Sequence, residues 1–452
     1  MGGNKTERSP VAVERPPAVF IETHGCKLNQ ADSQALAWRF AQAGYCLVEE
    51  TAQADVCLVN TCTVTHVADR KARHALRDAR RHNPHAVVVA TGCYAQRAPH
   101  QLAQLDGVNL VLGNTQKDIL VNQVNQLLDL PKASCSTGTP RSEEAVASLR
   151  TRAMVKIQEG CDQVCAYCIV PKVRGRERSI HPDVVVALIQ RLVAEGCQEV
   201  VLTGTQLGTY GFETPGPSLA GLINRILRRT SVPRLRVSSL QPQELSPELL
   251  DLWDDSRLCP HFHLPLQSGS AAVLKAMRRR YSPQQYVDAV EGIQQRVPRA
   301  TVTTDVIVGF PGETEERFQE SYQLCQEVRF AGFHIFPYSA RPGTSAAHLE
   351  PKVEAREKRL RMVTMLALAR EQVHSYRQSL LGTTCPVLWE TSRSVAGAQI
   401  WSGLTDNYVR VATVSPQSLC NRITPVALEH QEAGVVWGRV PDHRHRPSRH
   451  VG

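Results

Sequence analysis

The sequence predicts an α/β protein in three parts: an amino-terminal domain with a parallel sheet, an open six-unit (β/α) barrel, and a small carboxy-terminal β-barrel. Two observations lead to this prediction. Apolar runs of strand length alternate with amphipathic helical stretches over most of the chain, which is the pattern of parallel sheets. After Gly382 the helical period disappears and short β-like stretches follow, which is typical of a small barrel.

The composition is that of a protein with packed cores. The chain has 452 residues, of which 42% are hydrophobic and 21% are charged, enough for about three domains of ~150 residues. Residues 1–17 are polar and rich in proline, and no apolar run approaches the ~20 residues that span a bilayer. We therefore expect a soluble, untargeted protein with no membrane segment.

Cysteine content and charge bear on the compartment and the partner. Fourteen cysteines without a signal peptide favour a reducing compartment such as the cytoplasm, where thiols are metal ligands or buried apolar groups. The net charge of +9 and the pI near 8.9 favour a polyanionic partner, with nucleic acid the first choice. Many basic proteins bind no nucleic acid, so the charge is weak evidence by itself.

The amino-terminal domain, residues 18–130, repeats an apolar strand, a cysteine and a helix three times. The pairs of strand and cysteine are 19–21 with Cys26, 56–59 with Cys62, and 87–90 with Cys93. Since the carboxyl ends of parallel strands meet at one edge of a sheet, we expect these three thiols, here called the sheet-edge trio, to lie close together. Three buried core thiols are the alternative. Cys46 and Cys57 are expected to be core or surface thiols.

A linker and six strand-helix units follow. Residues 131–152 are rich in Ser, Thr, Pro and charge and are predicted to be the linker. The predicted barrel is 153–380, and its strands are 154–157, 199–202, 235–238, 261–264, 301–308 and 333–336. The last helix of the barrel is predicted at 353–380. The terminal module, 381–441, has predicted strands at 385–390, 408–414 and 435–440, before a basic tail, 442–452, that is expected to be solvated rather than metal-binding.

Three cysteines stand close together after the first barrel strand. Cys161, Cys165 and Cys168, here called the loop trio, form a C-x3-C-x2-C pattern. A structural zinc site needs a fourth protein ligand, whereas an iron-sulfur cubane held by three cysteines leaves one iron open to a substrate or cofactor. With no Cys or His at zinc-knuckle spacing, the pattern favours the cubane over a knuckle or fortuitous cysteines.

The loop trio, with Tyr167 before its last cysteine, resembles the cluster motif of radical S-adenosylmethionine (SAM) enzymes. Other segments resemble one family of that class, the methylthiotransferases. The matching segments are THGCKLNQ (23–30), NTCTVT (60–65), ADRKAR (68–73), TGCYAQ (91–96), LPLQSGS (264–270) and GFPGET (309–314). The resemblance covers nearly the whole chain, and the terminal module is similar to the family's small RNA-binding barrel (TRAM).

The resemblance implies two 4Fe-4S clusters, and so makes all six cysteines metal ligands and catalytic residues. The loop trio would hold the cluster whose open iron binds SAM and whose electron cleaves it to methionine and a 5′-deoxyadenosyl radical. The sheet-edge trio would hold a second cluster, also with an open iron, where sulfur is carried and methylated.

The resemblance also implies a SAM site. Its predicted residues are Tyr167, Gly204, Thr205, Gln267, Asp305 and Gly309. Gly204 and Thr205 follow the second barrel strand, where the family holds the amino group of SAM, although many radical SAM proteins have an acidic residue in place of Thr205. Asp305 and Gly309 are expected near the adenosine half. Alternatives stay open: a turn-closing role for Gln267, packing for Tyr167, and a capped strand-to-helix turn for Glu313-Thr314.

Several basic and aromatic residues are candidate RNA contacts. Arg174, Arg176 and Arg178 could reach phosphate, the methionyl carboxylate or a nearby acid, or could lie on a solvated loop. The helical stretch 68–81 carries Arg70, Lys71, Arg73, Arg77, Arg80 and Arg81, and is either an exposed face or a guide for an RNA backbone. In the terminal barrel, Trp389, Trp401 and Tyr408 would stack on bases, with core packing as the alternative.

Taken together, the resemblance implies a cytoplasmic enzyme that inserts sulfur and then a methyl group at an unreactive aromatic carbon of tRNA. It would consume two SAM molecules and need an electron donor such as a flavodoxin or ferredoxin. The cysteine motifs resemble the branch that acts at C2 of N6-threonylcarbamoyladenosine (t6A) at position 37, in the anticodon stem-loop. The alternatives are the isopentenyladenosine branch, the branch that modifies a ribosomal protein aspartate, and, from another class, a non-catalytic iron-sulfur RNA-binding protein.

Overall fold

Two compact units make up the chain, Met1–Thr63 with Val67–Val146 and Val64–His66 with Ala147–Gly452. A computed structural model describes residues 15–130, 151–213 and 216–441. The predicted tail, and all of the predicted linker except its last two residues, lie outside the described residues. In the described part, none of the helices combines the length and the apolar character that a membrane crossing requires.

A five-stranded parallel sheet forms the centre of the amino-terminal unit. Its strands are β1 (Ala18–Thr23), β2 (Cys46–Leu47), β3 (Val56–Thr61), β4 (Val87–Gly92) and β5 (Leu110–Leu112), in the order β2-β1-β3-β4-β5. Its helices are α1 (Lys27–Gln42), α2 (His66–His82), α3 (Cys93–Arg97), α4 (Pro99–Ala103) and α5 (Leu120–Leu127). The three central strands were predicted from the sequence, whereas the short edge strands β2 and β5 were not.

Helices cover both faces of this sheet, because successive side chains of a strand point to opposite faces. Cys57 of β3 belongs to the same buried cluster as Leu76 of α2, whereas Leu58 belongs to the cluster of Phe40 of α1. A strand that is buried on both faces is a continuous apolar run, which is why β3 could be recognised in the sequence. Cys57 is a core thiol, as predicted.

The second unit contains six parallel barrel strands, as the sequence predicts. They are β6 (Arg152–Lys156), β9 (Glu199–Thr203), β10 (Arg234–Val237), β11 (His261–His263), β12 (Thr301–Val308) and β13 (Gly332–Pro337), while β7 (Gln158–Glu159) pairs with β8 (Arg178–Ser179). The six barrel strands form two sheets, β6-β9-β10 and β11-β12-β13. An isolated parallel β-bridge between Leu235 and Leu258 links the two sheets. Among the described residues β6 and β13 do not pair, so the barrel is open.

Helices pack around these strands. They are α6 (Val170–Arg174), α7 (Pro182–Ala194), α8 (Leu219–Arg229), α9 (Pro247–Asp251), α10 (Ala271–Ala276), α11 (Pro283–Arg296), α12 (Glu315–Val328) and α13 (Ala355–Ser379). On β12, Val306 and Val308 are buried in the core, whereas the alternate residues Thr303 and Asp305 are only partly buried. Because side chains alternate along a strand, Thr303 and Asp305 face the interior of the barrel.

A closed five-stranded β-barrel ends the described chain. Its strands are β14 (Thr384–Val395), β15 (Ala398–Thr405), β16 (Arg410–Val414), β17 (Ile423–Glu432) and β18 (Val435–Arg439), in the order β14-β15-β16-β18-β17. Three of these strands, β14, β16 and β18, were predicted from the sequence. The strands β15 and β17 were not, because polar residues interrupt their apolar ones.

Two of the aromatic residues that were predicted to stack on bases lie in the core of this barrel. Trp389 is 0% exposed and Trp401 is 6% exposed, and both pack with Val411. Tyr408 stacks on His261 of β11, with ring centroids 4.6 Å apart. The prediction of base stacking is therefore wrong for Trp389 and Trp401, and core packing, the alternative, is correct for both.

Buried arginines join the terminal β-barrel to the (β/α) barrel. Arg234 donates a hydrogen bond to the carbonyl oxygen of Pro386 (2.6 Å), and Arg236 donates to the carbonyl oxygen of Asp406 (2.9 Å). Arg236 also pairs with the carboxylate of Glu199 (2.9 Å), and both side chains are fully buried. The hydrogen bonds to Pro386 and Asp406 cross the contact between the two barrels, which belong to the same compact unit.

Candidate active site

The sheet-edge trio lies at the predicted edge of the parallel sheet. Cys62 directly follows β3, Cys93 directly follows β4, and Cys26 follows β1 by three residues. These strands are neighbours in the sheet. Cys62 and Cys93 are buried, while Cys26 is exposed. The three thiols therefore lie just past the carboxyl ends of adjacent strands, at one edge of the sheet.

One side chain that the sequence analysis did not single out, that of Asn29, ties these three loops together. Its amide nitrogen donates to the carbonyl oxygen of His24 (2.7 Å), in the loop of Cys26, and to that of Thr61 (3.1 Å), the last residue of β3 before Cys62. Its amide oxygen lies 3.9 Å from Cys93 Sγ. Asn29 lies within a recognised motif, but the spacing of the motif does not show that this residue bridges the loops.

Glycines allow the close packing of this site. Gly25 has φ +97°, which L side chains rarely adopt, and a Cβ atom there would lie 2.7 Å from Cys62 Sγ. Gly92 has φ +92° and precedes Cys93 in the same way, and its Cβ atom would lie 2.4 Å from Asn60 Oδ1. The sulfur positions therefore depend on the absence of a side chain at both glycines.

The loop trio lies in one segment between β7 and α6. Cys161 Sγ accepts a hydrogen bond from the backbone N–H of Gln163 (3.4 Å), and the N–H of Cys168 donates to the carbonyl oxygen of Cys165 (3.1 Å). Burial raises the pKa of the Cys161 thiol to about 11 and that of the Cys168 thiol to about 12. Without a cation these thiols therefore stay protonated, whereas thiols that ligate a metal are deprotonated.

Arg279 brings a positive charge to the loop trio. Its Nη1 donates to Cys165 Sγ (3.5 Å), its Nη2 donates to Gln241 Oε1 (3.0 Å), and its guanidinium lies 4.8 Å from the centroid of the Tyr281 ring. Such a hydrogen bond stabilises negative charge on a ligating sulfur. Arg279 stands 114 residues after Cys165, so no local pattern in the sequence marks it.

A network of polar side chains adjoins the loop trio. Gln241 donates to Gln163 Oε1 (3.2 Å) and also contacts Gln206, which in turn donates to the carboxyl group of Glu244. Burial raises the pKa of Glu244 to about 7, although hydrogen bonds to the carboxyl group oppose this shift. A protonated, neutral Glu244 is thus compatible with its partly buried position near neutral pH.

The predicted SAM residues Gly204 and Thr205 follow β9, the second barrel strand. Gln158, just before the loop trio, accepts a hydrogen bond from the backbone N–H of Thr205 (2.9 Å). The hydroxyl Oγ1 of Thr205 is buried and has no hydrogen-bond partner, which is uncommon for a buried hydroxyl. A ligand with polar groups would satisfy it, so this corner fits the polar end of a cofactor.

Gln267 occupies a turn between the fourth and fifth barrel strands. Its φ is 67°, its N–H donates to the carbonyl oxygen of Asp305, and its carbonyl oxygen accepts from Ile307, both at 2.8 Å. The backbone of Gln267 therefore closes a turn onto β12, which was the structural alternative.

Glu313 shapes the loop that follows Gly309. Its Oε1 accepts from the N–H of Gly309 (2.7 Å) and from Arg361 (2.8 Å). Thr314 accepts the hydrogen bond that caps α12, from the N–H of Arg317 (3.4 Å). Glu313 and Thr314 thus form the capped strand-to-helix turn, which was the alternative to a direct role in binding.

Tyr167 packs beside the loop trio against a small apolar cluster, and burial raises its pKa well above the usual range. The buried members of this cluster are Ala166, Val273, Met277, Phe310 and Ala346. Phe310 directly follows Gly309, so the loop after the fifth strand packs in the same hydrophobic cluster as the residues between Cys165 and Cys168.

Asp305 lies between two histidines that the sequence analysis did not predict. Its Oδ1 lies 3.1 Å from His334 Nδ1, and its Oδ2 lies 3.4 Å from His263 Nε2. Burial disfavours the charged carboxylate, but the hydrogen bonds from both histidines outweigh it and hold the pKa of Asp305 well below its usual range. One atom from each of the three side chains lies within 4.8 Å of the other two.

The arginines that follow the loop trio pair with nearby acids. Arg174 is buried and pairs with Glu159 (2.7 Å), and Arg178 pairs with the other oxygen of the same carboxylate (3.1 Å). Arg176 is exposed and pairs with Asp162 (3.1 Å). Contact with an acid, one of the alternatives for these residues, is what the structure shows.

The basic stretch of α2 divides into structural and exposed residues. Arg73 donates to the hydroxyl of Tyr94 (2.8 Å), and Arg80 donates to the carbonyl oxygen of Gly107 (2.7 Å). The exposed basic residues of this helix are His66, Arg70, Lys71, His74, Arg77, Arg81 and His82. The helix therefore presents a basic face to solvent.

The fold and the two trios define a class of protein. An open (β/α) barrel with three thiols after its first strand offers the donor set of a 4Fe-4S cluster with one open iron. A model described as the radical SAM superfamily matches residues 155–325, and one described as uncharacterized protein family UPF0004 matches residues 18–113. The chain is a radical SAM enzyme with an additional amino-terminal cysteine domain.

Similar proteins narrow the class to a family. The threonylcarbamoyladenosine tRNA methylthiotransferase MtaB of Bacillus subtilis is 35% identical over 94% of this chain and 98% of that protein, and that of Aquifex aeolicus is 38% identical over 87% and 96%. The tRNA-2-methylthio-N(6)-dimethylallyladenosine synthase of Syntrophotalea carbinolica is 33% identical over 90% and 96%. The chain belongs to the radical SAM methylthiotransferase family, whose cofactors are SAM and two 4Fe-4S clusters.

A solved structure agrees with this fold. The radical SAM methyltransferase TsrM from Kitasatospora setae, with cobalamin and a [4Fe-4S] cluster bound, has a TM-score of 0.53 and is 15% identical. The similarity covers 71% of this chain and 75% of that chain. At this identity the likeness supports the fold and not the reaction.

Proposed function

We propose that the protein methylthiolates C2 of t6A at position 37 of tRNA. The observation that carries the proposal is the presence of both three-cysteine sites in one chain that matches MtaB proteins over 87% to 94% of its length. Those relatives are 35% and 38% identical, against 33% for the dimethylallyladenosine synthase, which represents the alternative substrate. The t6A substrate is therefore the better supported of the two.

Each trio has its own role in this proposal. The loop trio holds the cluster that binds SAM, and the sheet-edge trio holds the cluster that carries sulfur. When bound, SAM supplies both the radical that removes hydrogen from C2 and the methyl group. Three thiolates leave one iron open at each site. Arg279 stabilises negative charge at Cys165, and Asn29 holds the loops of the sheet-edge trio together.

The SAM cradle uses residues at the ends of the barrel strands. The unpartnered hydroxyl of Thr205 and the backbone at Gly204 suit the polar end of SAM. Gly309, with φ +72°, gives the loop after the fifth strand a backbone conformation that L side chains rarely adopt. Tyr167 shields the loop trio, and Gln267 completes the rim beside β12.

The substrate and partners follow from the same proposal. The net charge of +9 and the exposed basic face of α2 suit phosphate contacts with the anticodon stem-loop. Reduction of the cluster at the loop trio needs an electron donor such as a flavodoxin or ferredoxin. A tRNA substrate and oxygen-sensitive clusters both suit the cytoplasm.

Mass analysis of tRNA nucleosides tests the proposal. Deleting the gene from its host should remove the 2-methylthio derivative of t6A, and the wild-type gene should restore it. Loss of the methylthio derivative of isopentenyladenosine instead would assign the protein to the other branch. The reduced, reconstituted protein should also cleave SAM, and failure to do so would favour a non-catalytic iron-sulfur RNA-binding protein.

A further inference from the structure

A string of polar side chains lines one wall of the barrel interior. His261 Nε2 lies 3.1 Å from Thr303 Oγ1, which lies 3.0 Å from His263 Nδ1. His263 Nε2 lies 3.4 Å from Asp305, whose other oxygen lies 3.1 Å from His334 Nδ1. These contacts connect the fourth, fifth and sixth barrel strands, β11, β12 and β13.

The string changes from buried to exposed along its length. His261 is 2% exposed and stacks on Tyr408 of the terminal β-barrel. The side chain of His263 is 12% exposed, that of Asp305 is 27% exposed, and that of His334 is 68% exposed. The inner end is therefore fixed by packing, while the ring of His334 is held by Asp305 and is still accessible to a ligand.

We propose that His334, Asp305 and His263 recognise the polar substituent on N6 of the target adenosine, an inference that rests on the proposed function. The predicted polar end of the SAM site, at Gly204 and Thr205, follows β9 in the other three-stranded sheet of the barrel. A base that loses hydrogen to a radical must lie in contact with the cofactor that supplies the radical. The wall formed by β11, β12 and β13 is then available to hold the base, and Asp305 contacts the substrate rather than SAM.

The chemistry of the wall matches one substrate better than the other. The threonylcarbamoyl group offers a carboxylate, a hydroxyl, a carbonyl and N–H groups, which match imidazole donors beside a carboxylate acceptor. A dimethylallyl group offers no hydrogen-bonding atom and would desolvate the exposed ring of His334 without giving it a hydrogen bond. A site built for hydrogen bonding rejects an apolar analogue strongly. The wall therefore selects t6A over dimethylallyladenosine.

The substitution His334→Leu tests this role in the reconstituted, reduced, full-length enzyme. For a stem-loop RNA that carries t6A, kcat/KM should fall roughly 10- to 100-fold because the hydrogen bonds to the substituent are lost. SAM cleavage without RNA should stay within about twofold, since the cluster and the SAM cradle are untouched. His334→Gln should recover part of the loss, because it restores a polar donor and acceptor. His374→Leu, at an exposed histidine of α13, is the matched control and should behave as wild type.

A second RNA that carries isopentenyladenosine separates the possible outcomes. The preference for t6A, measured as the ratio of the two kcat/KM values, should collapse in His334→Leu. An unchanged ratio would overturn the inference while leaving the proposed function intact. Wild-type enzyme that cleaves SAM but does not modify the t6A RNA would overturn the proposed function itself. Since the three side chains also suit a divalent metal, stoichiometric zinc or manganese that is lost in His334→Leu would overturn the recognition role.

Discussion

The two cysteine sites differ in how much of the fold each one requires. The loop trio lies in the single segment 161–168, so a local pattern brings its thiols together. The sheet-edge trio depends on three adjacent strands, on Asn29, and on a glycine that packs against a sulfur. A site that is local in sequence tolerates changes elsewhere in the chain better than one assembled by tertiary packing. The sheet-edge trio should therefore be lost after substitutions that touch no cysteine.

The largest expected effect is that loss of cysteines from the two trios has different consequences for iron content and activity. The anaerobically reconstituted wild type should hold about eight irons, and the triple substitution Cys161, Cys165, Cys168→Ala should leave about four. Cys62→Ala should still cleave SAM to 5′-deoxyadenosine but transfer no sulfur, whereas Cys165→Ala should lose both activities. Iron analysis, chromatography of the cleaved SAM and mass analysis of the RNA measure these results.

Two results would contradict the assignment of SAM cleavage to the loop trio and of sulfur transfer to the sheet-edge trio. A normal yield of methylthiolated tRNA from Cys62→Ala would make the sheet-edge trio purely structural. A metal content of one zinc and no iron per chain would show that neither trio holds an iron-sulfur cluster.

The second prediction sharpens the comparison through two glycines with nearly the same backbone conformation. Gly25 and Gly44 have φ of +97° and +90°, so alanine is strained at both. A Cβ atom at Gly25 would lie 2.7 Å from Cys62 Sγ, whereas one at Gly44 meets no atom within 4 Å. Gly25→Ala should therefore lower the iron content to about four, and Gly44→Ala should keep about eight. Equal iron in the two variants would show that the close sulfur contact is not needed.

The third prediction asks whether the loop trio also depends on distant packing. Arg236→Met leaves the buried carboxylate of Glu199 without its main partner, which costs about 3–5 kcal/mol. Arg439→Met, at an arginine that is 72% exposed, is the control and should cost less than about 1 kcal/mol. Anaerobic thermal unfolding measures both. Arg236→Met should lower the melting temperature of the second unit and release iron from the loop trio only as that unit unfolds, while the sheet-edge trio keeps about four irons.

Loss of iron from both trios in Arg236→Met would contradict the expectation that the two units respond separately. No change in stability would mean that the arginines between the barrels contribute little to the second unit.

The sequence predicted whatever depends on local pattern. All six barrel strands and the loop trio were recognisable because apolar runs and close cysteine spacing are local signals, and the sheet-edge trio was recognisable because each of its cysteines follows an apolar strand. The strands β15 and β17 were missed because polar residues interrupt them. Asn29, Arg279 and His334 could not be found in this way, because their roles arise from contacts between residues far apart in the chain. Trp389 and Trp401 show a related failure, since composition does not reveal which face of a strand is buried.

The smallest expected effect is a pH dependence confined to the surroundings of the loop trio. Burial raises the pKa of Glu244 to about 7, whereas an unfolded glutamate titrates near ~4.3. A raised pKa in the folded state stabilises the protein fully below the unfolded pKa, and this stabilisation is lost as the pH rises through the folded pKa. The wild type should therefore lose on the order of 3 kcal/mol between about pH 5 and pH 8 from this group.

Glu244→Gln imitates the protonated carboxyl group and should remove this dependence. The variant should match the wild type near pH 5 and exceed it in stability near pH 8, in anaerobic thermal unfolding of the reconstituted protein at a series of pH values. Glu248→Gln, at an exposed glutamate nearby, is the control and should follow the wild type throughout. If Glu244→Gln also follows the wild type at every pH, Glu244 is ionised in the folded protein near neutrality. The polar network of Gln163, Gln206, Gln241 and Glu244 would then carry a negative charge beside the loop trio. The surroundings of this trio, and not only the local spacing of its cysteines, would then affect the charge of its cluster.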